Sequence, residues 1–140
     1  MIKIGPYQLD GQAVLAPMAG ITAQPYRQVC HRMGAAMVTA EMSTSKADLR
    51  QTSKSLLRLA DLGDSEPRVI QIVGTDPTEM ALAARYHVDA GAQIVDINMG
   101  CPAKKVCKKL AGSALMKNPS LIADILKQVI DSVDAVSYTH

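Results

Sequence analysis

Short apolar runs alternate with longer helical patterns along this chain, and that alternation restricts its fold more than any other feature. Residues 13–17, 36–42, 68–73 and 93–98 each read as a strand, apolar almost throughout. Residues 22–34 read as a helix, because Tyr26, Val29, Cys30 and Met33 follow i, i+3, i+4, i+7 spacing and Gly34 stands where a C-terminal cap belongs. Residues 47–62 have a poorer helical pattern. The helix after residue 73 has clear punctuation: Asp76 as cap, Pro77 at the first helical position and Glu79 three after the cap. Met80, Ala83, Ala84, His87 and Val88 form its apolar face, and Gly91 stops it. Asn118-Pro119 opens a last helix whose stripe is Ile122, Ile125, Leu126, Val129, Ile130 and Val133.

Strands that are apolar on both faces, separated by helices, predict a parallel sheet covered by helices. Two architectures then compete. A doubly wound sheet prefers a Gly-rich phosphate turn after its first strand, whereas this chain reads "APMAGIT" there, with one glycine. Every strand instead carries polar or unusual residues at its C-terminal end: Pro17-Met18-Ala19, Glu41, Gln71, Asn98 and Cys101. Those ends converge on the mouth of a (β/α)₈ TIM barrel, where barrel enzymes place their chemistry. The fold class is therefore read as α/β and a TIM barrel. A whole barrel takes about 250 residues, so 140 residues correspond to one truncated to about the first four βα units. Its sheet is expected to lie open at strand one and strand four, so the isolated chain is expected to self-associate through those edges.

Composition narrows the class. The chain is 48% hydrophobic and 20% charged, values that suit a compact globular domain. A net charge of +2 does not by itself argue for a nucleic-acid partner, and with four Tyr, no Phe and no Trp the core has to be aliphatic. Three cysteines, Cys30, Cys101 and Cys107, make an odd count with neither zinc spacing nor a disulfide framework, so no metal site is expected. No segment has the length of a signal peptide or a membrane span, which gives a cytoplasmic reading with no membrane partner.

The chemistry concentrates in "DINMGCPAKKV", residues 96–106. Cys101 lies just past a strand end between Gly100 and Pro102, so its thiol is held rather than mobile. A lone cysteine is more often a small buried hydrophobe; Cys30, on a helix stripe, keeps that reading, and Cys107 stays open. Asn98 suits either a planar ligand edge or a tie within the loop. Gln71 occupies the corresponding place on the third strand, and two amides at one mouth favour a ligand with amide-like edges, such as a flavin or a pyrimidine. Lys104, Lys105, Lys108 and Lys109 form either a solvated helix face or a phosphate-holding patch. His31 and His87 sit on helices and read as structural.

In their order and intervals, "APMAGIT", "QIVG" and "DINMGCPAKKV…GSALM" resemble the tRNA-dihydrouridine synthases, most closely the bacterial B-type branch, from about Ile2 to Asp134. The resemblance implies a barrel that holds FMN in its mouth, takes electrons from NADPH and reduces one uridine of tRNA to dihydrouridine. It implies that Cys101 donates a proton to uracil C5, a role that requires the thiol form. Pro17, Met18 and Ala19 match residues whose backbone lines the flavin, Gln71 one that bonds its ring, and Asn98 the amide that holds the uracil. Lys104 and Lys105 fall where tRNA phosphates are expected. The resemblance makes residues 1–134 the N-terminal half of an FMN-binding catalytic domain. A family member would continue into a fifth strand carrying a flavin-contacting lysine, whereas residues 135–140 read "AVSYTH", an atypical tail expected to be foreign sequence. Two alternatives stand beside this reading. One is a flavin-dependent dihydroorotate or dihydropyrimidine dehydrogenase, since such enzymes carry similar Asn-x-x-Cys-Pro turns; the other is a non-catalytic half-barrel.

Overall fold

The computed structural model describes residues 2–50 and 66–139. A hairpin comes first, β1 (Ile2–Ile4) and β2 (Tyr7–Leu9), paired antiparallel across a turn at Gly5-Pro6. The chain then runs β3 (Val14–Leu15), α1 (Gln24–Arg32), β4 (Met37–Val38), β5 (Ser43–Thr44), α2 (Ala47–Arg50) and β6 (Val69–Val73). It continues through α3 (Pro77–Asp89), β7 (Ile94–Ile97), α4 (Lys104–Cys107), a 3₁₀ turn (Gly112–Lys117), α5 (Pro119–Ser132) and β8 (Val136–Thr139). The helix expected over 47–62 is seen at α2, and its remainder lies outside the described residues.

All the ladders after the hairpin are parallel: β3 with β4, β5 with β6, β6 with β7, and β7 with β8. A bridge from Thr39 to Val69 joins the end of β4 to β6. The sheet therefore adds each strand beside its predecessor, without the reversal of strand order that marks a doubly wound sheet. This is the winding of a barrel.

Alternation along the strands separates two cores. Ile70, Ile72, Val95 and Ile97 face the helices, packed with Met80, Ala83 and Ala84 of α3 and Ile125 and Val129 of α5. Val69 and Ile94 face the other way and meet Met37 and the hairpin's Leu9, with Val136 alongside. Since these are the first residues of their strands, the hairpin plugs the N-terminal end of the inner face. Gln71, Asp96 and Asn98 follow on that same inner face, nearer the C-terminal ends.

Helix ends behave largely as the sequence predicts. Asp76 Oδ1 accepts from the Glu79 N–H at 2.8 Å, and Asn118 Oδ1 accepts from the Leu121 N–H at 3.2 Å. The Glu79 carboxylate does not close a reciprocal capping box; its Oε2 accepts from Ser45 Oγ at 3.3 Å. Gly34, at φ +102° just past α1, adopts the left-handed conformation that a C-terminal glycine supplies.

Two expectations are corrected. Tyr26, Val29 and Met33 do not face the core: they are exposed, Met33 at 83%, and Cys30 is half-buried. The residue that α1 buries is Arg27, whose Nη1 donates to the Thr22 carbonyl at 2.6 Å. The helical period was right and the phase was not, because the polar contact to Thr22 turns Arg27 inward. The other correction concerns the sheet edge expected to be open beside the fourth strand. Residues 136–139 pair with β7 along its whole length, Ile94 with Val136 through Ile97 with Thr139, so that edge of β7 is covered.

Candidate active site

The turn after β7 is built around the backbone of Cys101. Its N–H donates to Asn98 Oδ1 at 3.0 Å, and the Gly100 N–H reaches the same oxygen at 3.3 Å. Its carbonyl accepts from the Ser113 N–H at 3.1 Å and from Cys107 Sγ at 3.5 Å. Held on both sides, the half-buried thiol has a fixed origin. Gly112 stands directly behind it: a β-carbon there would lie 2.6 Å from the Cys101 carbonyl oxygen, and its φ of +62° is one that glycine adopts readily. The "NMGCP" and "GSALM" stretches are thus two halves of one clamp.

Beneath the turn runs a chain of buried side chains. Asn98 Nδ2 donates to Gln71 Oε1 at 2.8 Å, and Gln71 Nε2 donates to Asp96 Oδ2 at 2.7 Å. Asp96 is fully buried, Gln71 nearly so, and Asn98 is 8% exposed. With Gln71 Nε2 donating to Asp96, the glutamine oxygen is turned toward Asn98, and with Asn98 Nδ2 donating to it the asparagine oxygen is aimed at the Cys101 turn. Asn98 therefore ties down the loop, one of the two roles its position suggests. Among the described residues its second N–H meets only the sulfur of Met42, at 3.8 Å, a weak acceptor. Gln71 keeps one Nε2 hydrogen and one Oε1 lone pair.

At the end of β3 the "APMAGIT" stretch closes on Thr22, which is fully buried. Thr22 Oγ1 accepts from the Met18 N–H at 3.0 Å and donates to the Met18 carbonyl at 3.1 Å. Pro17 has no N–H and that of Met18 is taken, whereas no described residue engages the N–H groups of Ala19 and Gly20. Parallel pairing brings Pro17, Met18 and Ala19 to the same end of the sheet as Gln71, Asn98 and Cys101, although no hydrogen bond between described residues joins the two groups.

Lys104 and Lys105 are exposed on α4, three and four residues beyond Cys101. Lys105 also lines a pocket of about 370 Å³ together with Lys46 and Lys109; Lys104 lies outside that lining. Among the described residues no group of three His, Cys, Asp or Glu side chains is placed to hold a metal ion, and no helix is long and apolar enough to cross a membrane.

The family model for dihydrouridine synthase (Dus) matches residues 14–139. The chain belongs to the dihydrouridine synthase family. Its similarity to curated members is high: 54% identity over 134 residues to tRNA-dihydrouridine synthase B of Pseudomonas aeruginosa, covering 96% of this chain and 40% of that protein. The proteins of the same name from Vibrio vulnificus and Yersinia pestis are 56% and 52% identical over 133 residues, covering 95% of this chain and 41% of each. The chain thus spans about two-fifths of the length of these relatives. The family match extends through β8.

Within this member of the family, Gln71, Asn98 and Cys101 form one connected unit. The sequence reading passed over Asp96, Thr22, Arg27 and Gly112. Asp96 had a visible signal, since it is the only charge in the strand run 93–98. Arg27 and Thr22 had none, because their side chains act on backbone groups, Arg27 on the Thr22 carbonyl and Thr22 on Met18, that no residue type announces.

Proposed function

We propose that these residues carry the catalytic turn of a flavin-dependent enzyme that reduces a uridine of tRNA to 5,6-dihydrouridine, with NADPH as reductant. The observation that carries this reading is the double clamp on Cys101 above the Asn98–Gln71–Asp96 chain. The relatives' shared name, tRNA-dihydrouridine synthase B, supports it.

The donor set fits FMN. A flavin presents an imide edge of neutral donors and acceptors, and the remaining capacity of Gln71 together with the Ala19 N–H is neutral in the same way. Pro17, Met18 and Ala19 would line the ring and Gln71 would bond its polar edge, while Asn98 would hold the uracil through the N–H now resting on Met42 sulfur. When bound, the reduced flavin supplies hydride, two electrons, to C6 of the base.

Cys101 completes the balance. As C6 accepts hydride, the C5=C6 bond becomes single and C5 takes a proton from the Cys101 thiol, leaving a thiolate that solvent reprotonates. The clamp fixes the Cys101 backbone, so the proton leaves from a set position. Lys104 and Lys105, exposed one turn away, would meet tRNA phosphates.

The test uses a chimera in which residues 1–134 continue into the C-terminal part of the Pseudomonas aeruginosa relative. Dihydrouridine in digested tRNA, dependent on Cys101, is the expected result. Turnover of free uracil or dihydroorotate without tRNA modification would transfer the chain to the pyrimidine dehydrogenase reading. A purified chimera lacking flavin absorbance would favour a non-catalytic half-barrel.

A further inference from the structure

The pocket beside the Cys101 turn is a cavity of its own, lined by none of Cys101, Asn98 or Gln71. One wall is the segment running from Glu41 through β5 to Leu49; the other is the turn around α4. Lys46, Lys105 and Lys109 line it from these two separate segments. All three are exposed, and none has a carboxylate of a described residue within ion-pair distance, although Glu41 and Glu79 line the same space. Glu79 is instead bonded to Ser45.

Three lysines against the two carboxylates of Glu41 and Glu79 leave this lining with an excess of positive charge, which raises the local potential and favours an anion. The rest of the lining restricts which anion. Ser43 and Thr75 bring hydroxyls, and Val73 and Val106 an apolar surface. The volume of about 370 Å³ suits a small organic ligand rather than an inorganic ion. We propose that this pocket seats a nucleoside phosphate, its phosphate among Lys46, Lys105 and Lys109 and its sugar hydroxyls against Ser43 and Thr75. Two sources offer that chemistry, a nucleotide of the RNA substrate or one half of the dinucleotide reductant. The choice between them rests on the function proposed above; binding of a nucleoside phosphate does not.

The probe is uridine 5′-monophosphate, titrated into the 140-residue chain, and into the chimera if the chain alone aggregates, with uridine as the phosphate-free control. Lys46→Gln and Lys109→Gln are surface exchanges that leave the fold intact. Each is expected to weaken the monophosphate roughly threefold to tenfold, as befits a charge-assisted contact partly screened by solvent, and to leave uridine unaffected. Unchanged affinity in both variants, or uridine binding as tightly as its phosphate, overturns the proposal. In the chimera, a flatter salt dependence of tRNA binding in Lys109→Gln assigns the pocket to RNA, and a raised KM for NADPH assigns it to the reductant. If neither moves in a chimera that does form dihydrouridine, the pocket serves neither source and the proposal falls. A chimera that binds the monophosphate through Lys109 yet forms no dihydrouridine sinks the enzymatic reading and leaves the pocket standing.

Discussion

Gln71 donates through Nε2 to Asp96 Oδ2 at 2.7 Å, on the inner face of the sheet where both side chains are out of water. The two are register partners on neighbouring parallel strands, so the contact is set by the backbone ladder. It decides which end of the glutamine amide faces the mouth, and through Asn98 it reaches the backbone of Cys101.

Asp96→Ala is therefore expected to act on stability and on the site together. Removing one partner of a buried hydrogen bond and leaving the other unsatisfied costs about 1–3 kcal/mol, and the loss should appear as a lower urea midpoint. The side-chain amide resonances of Gln71 and Asn98 should shift as their orientations relax. Unmoved amide signals would show that Asp96 does not orient the pair.

Cys101→Ala in the chimera should leave flavin absorbance intact and lower dihydrouridine formation about 10²–10⁴-fold, the usual range for a general acid. Retention of half the parent turnover would refute the assigned role. Cys30→Ala, at a half-buried position on α1, should leave turnover unchanged.

Gly112→Ala tests the clamp from behind. The added methyl would lie 2.6 Å from the Cys101 carbonyl oxygen, at a φ of +62°, so the turn must shift. A loss of about 1–3 kcal/mol in folding stability is expected from backbone strain of this kind. Chimera turnover should fall while flavin content holds. A variant as stable and active as the parent would mean that the turn relaxes without consequence.

Lys104→Ala combined with Lys105→Ala should weaken tRNA binding by the chimera and flatten its salt dependence. Each lost phosphate contact should reduce the log–log slope by roughly 0.7–0.9. An unchanged slope would return both lysines to the role of solvated surface.

Self-association of the 140-residue chain is expected from the side of the sheet that begins with β3. Val14 of that strand and Tyr26, Val29 and Met33 of α1 are all exposed, an arrangement that natural surfaces avoid. Sedimentation should show dimers or larger species, and Val29→Lys with Met33→Lys should shift the distribution toward monomer. A monodisperse parent chain would contradict this.

The sequence determined the succession β3, α1, β4, β6, α3, β7 and α5, the caps at Asp76 and Asn118, and the fixed turn at Cys101, whereas β5, α4 and the 3₁₀ turn had no such signal. Each of these is set by neighbours within a few positions, through periodicity, a missing N–H at proline or the freedom of glycine. The same kind of local signal is present at Gly5-Pro6, where a turn dipeptide joins the strands of the hairpin. Tertiary structure alone decided which face of α1 is buried, because an amphipathic period gives a direction only relative to whatever packs against it, and here Thr22 draws Arg27 inward. It also decided that Asp96 would govern two amides, that Gly112 would stand behind Cys101, and that residues 136–139 would pair with β7. Those contacts join residues well separated along the chain, and no pattern within either partner specifies the other.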